Sequence, residues 1–169
     1  MEERVIEERA FASAPAAAQL IAQQFGIRPA DIRTYSPLTL AFLGDNVFDL
    51  VIRTILVQQG NRSVNVLHRQ KSRLVKAAAQ AVMAEYLEEV FTDEEEAVYK
   101  RGRNAKSVTM PKHARASDYR KATGLEALMG YLYLQGRSDR ILELIREGMA
   151  SLEDAPQDKG AGRQPGEKE

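Results

Sequence analysis

Apolar residues recur three or four positions apart along most of this chain, which is the spacing of helices that bury one face. No segment shows the sustained alternation of apolar and polar residues that a half-buried strand requires. We therefore predict an all-α fold. The clearest pattern is in residues 35–53, YSPLTLAFLGDNVFDLVIR, where Ser36 and Pro37 mark a helix start and Gly60 follows its end. The stripe predicted to face the core consists of Leu40, Leu43, Val47, Leu50, Val51 and Thr54.

Further helical segments lie on both sides of this one. Thr92 and Glu95 have the spacing of a capping box, and Ser117 is the predicted cap of a second long apolar helix. A break is expected near residues 70–72, where the polar run RQKSR interrupts an apolar stripe. The predicted segments are 18–25, 29–33, 63–91, 92–102, 118–135 and 138–152.

The chain divides into three parts by composition. Residues 1–34 form an N-terminal extension with short helices, because the first 17 residues show no core pattern. Residues 35–153 contain the apolar helices, and a chain of 169 residues with 44% hydrophobic residues can build one core from them. Residues 154–169, DAPQDKGAGRQPGEKE, have the composition of a disordered tail.

Composition also excludes several kinds of site. The absence of cysteine rules out disulfides and thiolate metal sites and fits the reducing cytoplasm. Two histidines argue against a zinc site built from histidine. No apolar run has transmembrane length, and the acidic N-terminus MEERVIEERA lacks the layout of a signal peptide. We expect a cytoplasmic protein without a membrane partner.

Charge is segregated although the net charge is zero. Five basic residues and no acids lie between Arg62 and Lys76, and seven acids and no bases between Glu85 and Glu96. Residues 100–121 contain eight Lys or Arg and one acid, Asp118. Local basic strips of this kind point to a polyanionic partner.

Two apolar helices each contain an isolated acid, Asp45 in the first and Glu126 in the second, and both have nearby glycines. Asp49 follows Asp45 by one turn, so these two carboxylates share a face. Burying a charge in an apolar stripe is costly unless it is paired. Two readings stay open: Asp45 and Glu126 meet and hold Mg²⁺, or each pairs with an arginine.

The two acidic helices resemble the ribonuclease III family. LAFLGDNVFDLVIR is similar to that family's signature helix, LEFLGDAVLELVV, and ATGLEALMGYLYL is similar to its second acidic helix, ADTVEALIGAVYL. The resemblance covers residues 36–152. Ala41 and Thr123 stand where the family usually has acids, and the loop RGRNAKS and the short polar tail resemble the Mini-ribonuclease III subfamily, which has no double-stranded-RNA-binding domain.

This resemblance implies a homodimeric helical endonuclease domain that cleaves double-stranded RNA, with 23S ribosomal RNA precursor as substrate. By matching positions, Asp45 and Glu126 are the expected catalytic and metal-binding residues, with Asp49 in support. The expected cofactor is Mg²⁺, with Mn²⁺ as a substitute, and a large-subunit ribosomal protein is a candidate partner. The alternative is an inactive homologue that binds structured RNA or the ribosome as a dimer, which the changes at Ala41 and Thr123 favour.

Without a separate RNA-binding module, the domain must supply its own phosphate contacts. The residues expected to bind RNA are Arg101, Arg103, Asn104, Lys106, Lys112, His113, Arg69 and Arg73. Leu40 and Phe42 are the expected dimer contacts.

Overall fold

The computed structural model describes residues 16–106 and 115–154, and within these ranges every regular element is helical. The predicted all-α fold is confirmed. No helix in the described ranges combines the length and the apolar character that crossing a membrane requires. A short 3-10 helix, Ile32–Thr34, follows the first α-helix. The α-helices are α1 Ala17–Gln24, α2 Pro37–Gln58, α3 Val64–Val75, α4 Ala77–Leu87, α5 Asp93–Arg103, α6 Ala116–Leu134 and α7 Ser138–Asp154.

Local capping fixes the starts of α2 and α5. The Ser36 hydroxyl accepts a hydrogen bond from the Thr39 amide at 3.1 Å, ahead of Pro37 in the first turn. Thr92 and Glu95 form both halves of the predicted capping box. The cap predicted at Ser117 is wrong. Helix α6 begins two residues earlier than predicted, at Ala116, after Arg115, whose side chain makes no capping hydrogen bond.

The break between α3 and α4 lies at Lys76, and its predicted position near residues 70–72 is wrong. Residues 70–72 are helical, because a polar run on a helix can lie on its solvent face without ending it. Lys76 has extended backbone angles, φ −63° and ψ 149°, with no glycine or proline beside it. The break is therefore a product of tertiary packing, and local sequence does not encode it.

Helix α2 buries only part of the predicted stripe. Leu40 is buried, and Val47 and Val51 are partly buried against the core. Leu50 is 65% exposed and Thr54 is also exposed, although both belonged to the predicted core face. This helix is apolar on most of its circumference, so two stripes satisfy the helical period and only packing selects between them. The residues that α2 buries are Leu40, Ala41, Gly44, Phe48, Ile52 and Leu56.

Helix α6 is the centre of the fold. It contacts α1, α2, α4, α5 and α7, and a helix surrounded in this way must be apolar on all sides. Every residue from 122 to 132 is buried except Glu126, which is partly exposed. The predicted core residues Leu125, Leu128, Met129 and Leu132 lie in this run. Glu126 is thus the one charged residue in this otherwise buried run of α6.

A buried ion pair joins α5 to α7. The carboxylate of Glu95, 0% exposed, accepts hydrogen bonds of 2.9 Å to both oxygens from the Arg140 guanidinium. Burial disfavours the charged carboxylate, but Arg140, the Thr92 amide and nearby Arg137 outweigh it and lower the pKa of Glu95. Arg140 also donates to the Val90 carbonyl at 2.9 Å. This pair joins α5 and α7, two helices that pack against α6.

Candidate active site

Glycines bring α2 and α6 into main-chain contact. A Cβ on Gly44 would lie 1.7 Å from the Glu126 carbonyl oxygen, and one on Gly130 would lie 2.1 Å from the Leu40 carbonyl oxygen. Side chains at these positions would force the helices apart. The glycines noted beside the two acids thus permit a close approach, and the approaching partner is the other acidic helix.

Asp45 and Glu126 lie beside this crossing in different environments. Asp45 is exposed, so the expected cost of burying it does not arise. Glu126 bears that cost instead: burial, and secondly the negative charge of Asp45, raise the pKa of Glu126 to about 7. The two carboxylates are therefore close enough to repel each other, and the structure brings together the two acids that the sequence singled out.

Neither acid has a basic partner among the described residues. Every ion pair identified there involves other carboxylates. Within residues 16–106 and 115–154, the alternative in which Asp45 and Glu126 each pair with an arginine is therefore wrong. A repelling pair of carboxylates left without cations is an unfavourable arrangement for the protein alone. It is suited to a cationic ligand.

Gln80 is a residue of this site that sequence reasoning missed. Its side chain is 2% exposed, and its Nε2 donates to Glu126 Oε1 at 3.2 Å and to the Val75 carbonyl at 3.0 Å. The second bond satisfies a carbonyl at the end of α3, next to the break at Lys76. The available signal was a single amide in the small apolar run AAAQAVMA.

Ala41 and Thr123, one turn before Asp45 and three residues before Glu126, are both buried. The Thr123 hydroxyl donates to the Tyr119 carbonyl at 2.9 Å within its own helix. Neither residue offers a carboxylate, so the part of the site that the structure describes contains two acids and not four. No group of three or more His, Cys, Asp or Glu that could hold a metal occurs in the described ranges.

This donor set fits one hydrated Mg²⁺ ion. Mg²⁺ prefers oxygen ligands and keeps several waters, so one or two carboxylates suffice when water or substrate oxygens fill the other positions. The carboxylates of Asp45 and Glu126, which form no ion pair within the described ranges, provide the negative charge. The Gln80 Oε1 atom is buried beside Glu126 and has no hydrogen-bond partner among the described residues, which fits a site that takes in an additional polar group.

Asp49 is a salt-bridge residue. It pairs with Arg53 on the same helix and with Lys71 of α3 at 3.0 Å. Partial burial opposes ionisation, but hydrogen bonds from both bases outweigh it and lower the pKa of Asp49. Asp49 therefore ties α3 to α2, while Asp45, one turn earlier, stays without a basic partner in the described structure.

The residues expected to bind RNA differ in their exposure and in their ion pairs. Arg69, Arg73 and Lys106 are exposed and make no ion pair within the described ranges. Arg101 and Arg103 belong to α5, and their placement in a loop is wrong. Arg103 contacts Glu88 at 3.4 Å and lies over the Tyr99 ring.

The other expected RNA contacts give less information. Arg101 donates to the Tyr35 carbonyl at 3.3 Å. Asn104 follows the last residue of α5 and is exposed. Lys112 and His113 lie outside the described residues.

The two expected dimer contacts, Leu40 and Phe42, differ in their exposure. Leu40 is 2% exposed and packs in the core, so its assignment to a dimer surface is wrong. A core-facing side chain is not available to a second copy. Phe42, 79% exposed, remains a surface residue on the same helix.

Comparison with known proteins identifies the group to which this chain is related. The model of the Ribonuclease III domain matches residues 38–137, which include both acids of the α2–α6 crossing. The chain belongs to the ribonuclease III family. The match ends just after α6, so it covers the site together with the helices that build it.

Curated relatives in the ribonuclease III family share the short form of this chain. The Mini-ribonuclease 3 of Thermoanaerobacter sp. (strain X514) is 43% identical over 123 residues, 73% of this chain and 87% of the relative. The Mini-ribonuclease 3 of Enterococcus faecalis is 46% identical over 117 residues, 68% of this chain and 89% of the relative. The resemblance to the Mini-ribonuclease III subfamily is thereby confirmed.

A solved structure supports the same assignment. A crystal structure of a protein from Fusobacterium nucleatum is 31% identical, with a TM-score of 0.66, and covers 73% of this chain and 99% of its own. Together with the family match, these similarities show an endoribonuclease of the ribonuclease III type. Asp45 and Glu126 both lie within the matched residues 38–137.

Proposed function

We propose that this protein is a Mg²⁺-dependent endoribonuclease that cleaves double-stranded RNA, with Asp45 and Glu126 as its catalytic and metal-binding residues. The observation that carries the proposal is the juxtaposition of these two acids across the Gly44–Gly130 crossing without a basic partner in the described structure. A carboxylate pair arranged in this way is adapted to hold a cation and, through it, a phosphate.

The two acids differ in what they contribute. Asp45 is exposed and can reach a phosphodiester at the surface. Glu126 projects from the rigid centre of the fold, so its position is set by packing on every other side of α6. A divalent ion bound to this pair supplies a water of lowered pKa and stabilises charge on the leaving oxygen. Mn²⁺ accepts the same oxygen ligands and is expected to substitute.

The reaction is hydrolysis of a phosphodiester. Water adds to phosphorus, the bond to the 3′-oxygen breaks, and the products carry 5′-phosphate and 3′-hydroxyl ends. Family membership supports this outcome on both strands of a duplex, with one site on each copy of a homodimer. Phe42, exposed on α2, is the remaining candidate for a dimer contact.

The RNA contacts are expected at the end of α3. Gln80 bonds both Val75 and Glu126, so the last turn of α3 lies next to the carboxylate site. Arg73 and Lys76 are exposed in this region and form no ion pair with any described acid. Free cations beside a nuclease site are suited to the phosphates that flank the cleaved bond. Arg69, one turn before Arg73 on α3, and Lys106 are also exposed and form no ion pair with any described acid.

The specific substrate proposed is the paired stem of a 23S ribosomal RNA precursor, in the cytoplasm, with a large-subunit ribosomal protein as a candidate partner. The similarity to Mini-ribonuclease 3 proteins supports this assignment. The absence of cysteine is consistent with a reducing compartment.

The proposal is tested by incubating the protein with a 23S-precursor stem and an unpaired RNA of equal length. We expect cleavage of the stem in Mg²⁺ or Mn²⁺, none in EDTA, and products that a 5′-phosphate-dependent exonuclease degrades. The substitutions at Ala41 and Thr123 favour the alternative, an inactive homologue that binds structured RNA. Binding of the stem without cleavage in any divalent ion would establish that alternative and reject the nuclease.

A further inference from the structure

Gln80 occupies a position in the site that packing alone does not explain. Its amide is 2% exposed on α4, where the neighbouring buried residues are alanine, methionine and leucine. Burying an amide costs free energy unless its groups are hydrogen-bonded. An apolar residue of similar volume would avoid that cost. The contacts of the amide nitrogen Nε2 and of the amide oxygen Oε1 explain why a polar residue occupies this position.

The Nε2 atom links three helices. It donates to the Val75 carbonyl at the end of α3 and to Glu126 Oε1 on α6, while Gln80 itself belongs to α4. Both protons of the amide nitrogen are thus used. This fixes the assignment of the amide, because the reversed orientation would place its oxygen against the Val75 carbonyl and the Glu126 carboxylate.

The Oε1 atom is buried and has no hydrogen-bond partner in the described part of the chain. Covalent geometry holds it beside Nε2, and so beside Glu126. Buried acceptors of this kind are rare and call for an explanation such as a bound water or ligand. The described acids offer no third carboxylate for the site, since Ala41 and Thr123 are not acidic. The Gln80 Oε1 atom is a neutral oxygen next to this pair that has no other described partner.

We propose that Gln80 is a positioning residue of the nuclease site, which holds the Glu126 carboxylate through Nε2 and accepts through Oε1 a hydrogen bond from a water that enters with the cation. This inference rests on the proposed function. It predicts that the affinity for a divalent ion depends on Gln80, although Gln80 is not one of the two carboxylates. Residues that orient metal ligands typically change metal affinity by about 10- to 100-fold when they are replaced.

The experiment uses Mn²⁺ binding to the full-length protein, measured by electron paramagnetic resonance in the absence of RNA. Gln80→Met keeps the length of the side chain but removes both polar atoms, and we expect it to weaken Mn²⁺ binding by about 10- to 100-fold. Gln135→Met is the matched control. The Gln135 Oε1 atom is also buried without a partner, but nine residues along α6 from Glu126, or roughly 13 Å. We expect wild-type affinity from this variant.

Single-turnover cleavage then separates positioning from structural support. We expect Gln80→Met to lower the cleavage rate at fixed Mn²⁺ while the dissociation constant for the RNA stem stays unchanged. A lower melting temperature with unchanged Mn²⁺ affinity and cleavage would show a purely structural role and overturn the inference. Gln80→Leu is measured in parallel, so that circular dichroism identifies a folded variant on which the comparison can be made.

A double-mutant cycle tests whether the effect passes through Glu126. In a Glu126→Gln background, Gln80→Met should change Mn²⁺ affinity far less than it does in the wild type, because the carboxylate that Gln80 holds is gone. Equal effects in both backgrounds would overturn the inference. Wild-type cleavage that Asp45→Asn abolishes but Gln80→Met leaves intact would reject the role of Gln80 alone. A wild type that neither binds Mn²⁺ nor cleaves would reject the proposed function as well.

Discussion

Gly44 lies directly against the main chain of Glu126, so that a Cβ at position 44 would be 1.7 Å from the Glu126 carbonyl oxygen. Position 44 immediately precedes Asp45, and the contact therefore sets the separation of the two carboxylates. The backbone on both sides is helical and cannot move without displacing a whole helix. The absence of a side chain at position 44 therefore permits both the close packing of α2 on α6 and the approach of the two carboxylates.

Replacing Gly44 with alanine should separate α2 from α6. We expect a loss of roughly 3 kcal/mol or more in the free energy of unfolding, because overpacking against main chain cannot be relieved by a rotamer change. Cleavage should fall with it, since Asp45 and Glu126 would move apart. Urea denaturation and cleavage assays measure both effects.

Gly148→Ala on α7 is the matched control for this substitution. Its Cβ would lie 3.1 Å from the Met83 Cβ, a contact that a shift of a few tenths of an ångström relieves. We expect a change within about 1 kcal/mol, because the higher helix propensity of alanine offsets the tighter contact. Equal losses at positions 44 and 148 would contradict the role assigned to the crossing.

Glu126→Gln should stabilise the metal-free protein at alkaline pH. The pKa of Glu126 is raised from 4.5 to about 7, so the native state binds this proton more tightly than the unfolded state does. Stability therefore falls as pH rises between these values, and the glutamine variant is spared the loss. We expect a gain of roughly 3 kcal/mol at pH 8 in EDTA that disappears below pH 4.5. A variant less stable than wild type at pH 8 would contradict the raised pKa of Glu126 in the native state.

Arg140→Ala should destabilise the fold without involving the site directly. It removes the main partner of Glu95, which is 0% exposed, and breaking a buried ion pair from one side typically costs about 3–5 kcal/mol. Because the pKa of Glu95 is lowered in the native state, the loss should shrink as pH falls and the carboxylate becomes protonated. Arg146→Ala, exposed on the same helix, should have little effect in the same thermal unfolding series.

Arg73→Ala should weaken binding of duplex RNA. Arg73 is exposed near the carboxylate site and has no acidic partner in the described structure, so its loss should affect RNA more than folding. We expect the slope of log K against log salt to decrease by about 1, the value for one phosphate contact. Titrations of a labelled stem at several salt concentrations measure this slope. The same decrease in Arg146→Ala would show that the effect is one of overall charge.

The sequence was sufficient where a local signal fixed the outcome. Helix starts are marked by Ser36, which accepts a hydrogen bond from the Thr39 amide ahead of Pro37, and by the capping box of Thr92 and Glu95. The isolated acids Asp45 and Glu126 could also be found, because a charge in an apolar helix is conspicuous. Each of these features depends on neighbours in the chain.

Features decided by tertiary packing could not be predicted in this way. The buried face of α2 was only partly predicted, because Leu50, which is 65% exposed, is as apolar as the residues that are buried. The break at Lys76 has no glycine or proline beside it. The role of Gln80 depends on its hydrogen bonds to Val75 and Glu126, which are made only in the folded protein. The partner of Glu95, Arg140, is 45 residues away in sequence.

The most direct test of the central claim compares Asp45→Asn with Asp49→Asn in single-turnover cleavage of a 23S-precursor stem, with RNA binding measured in parallel. The account predicts that Asp45→Asn abolishes cleavage but still binds the stem, because it removes a carboxylate from the cation site and leaves the basic surface intact. Asp49→Asn loses only ion pairs with Arg53 and Lys71 and should retain cleavage. Undiminished cleavage by Asp45→Asn would contradict the assignment of the active site to the α2–α6 crossing.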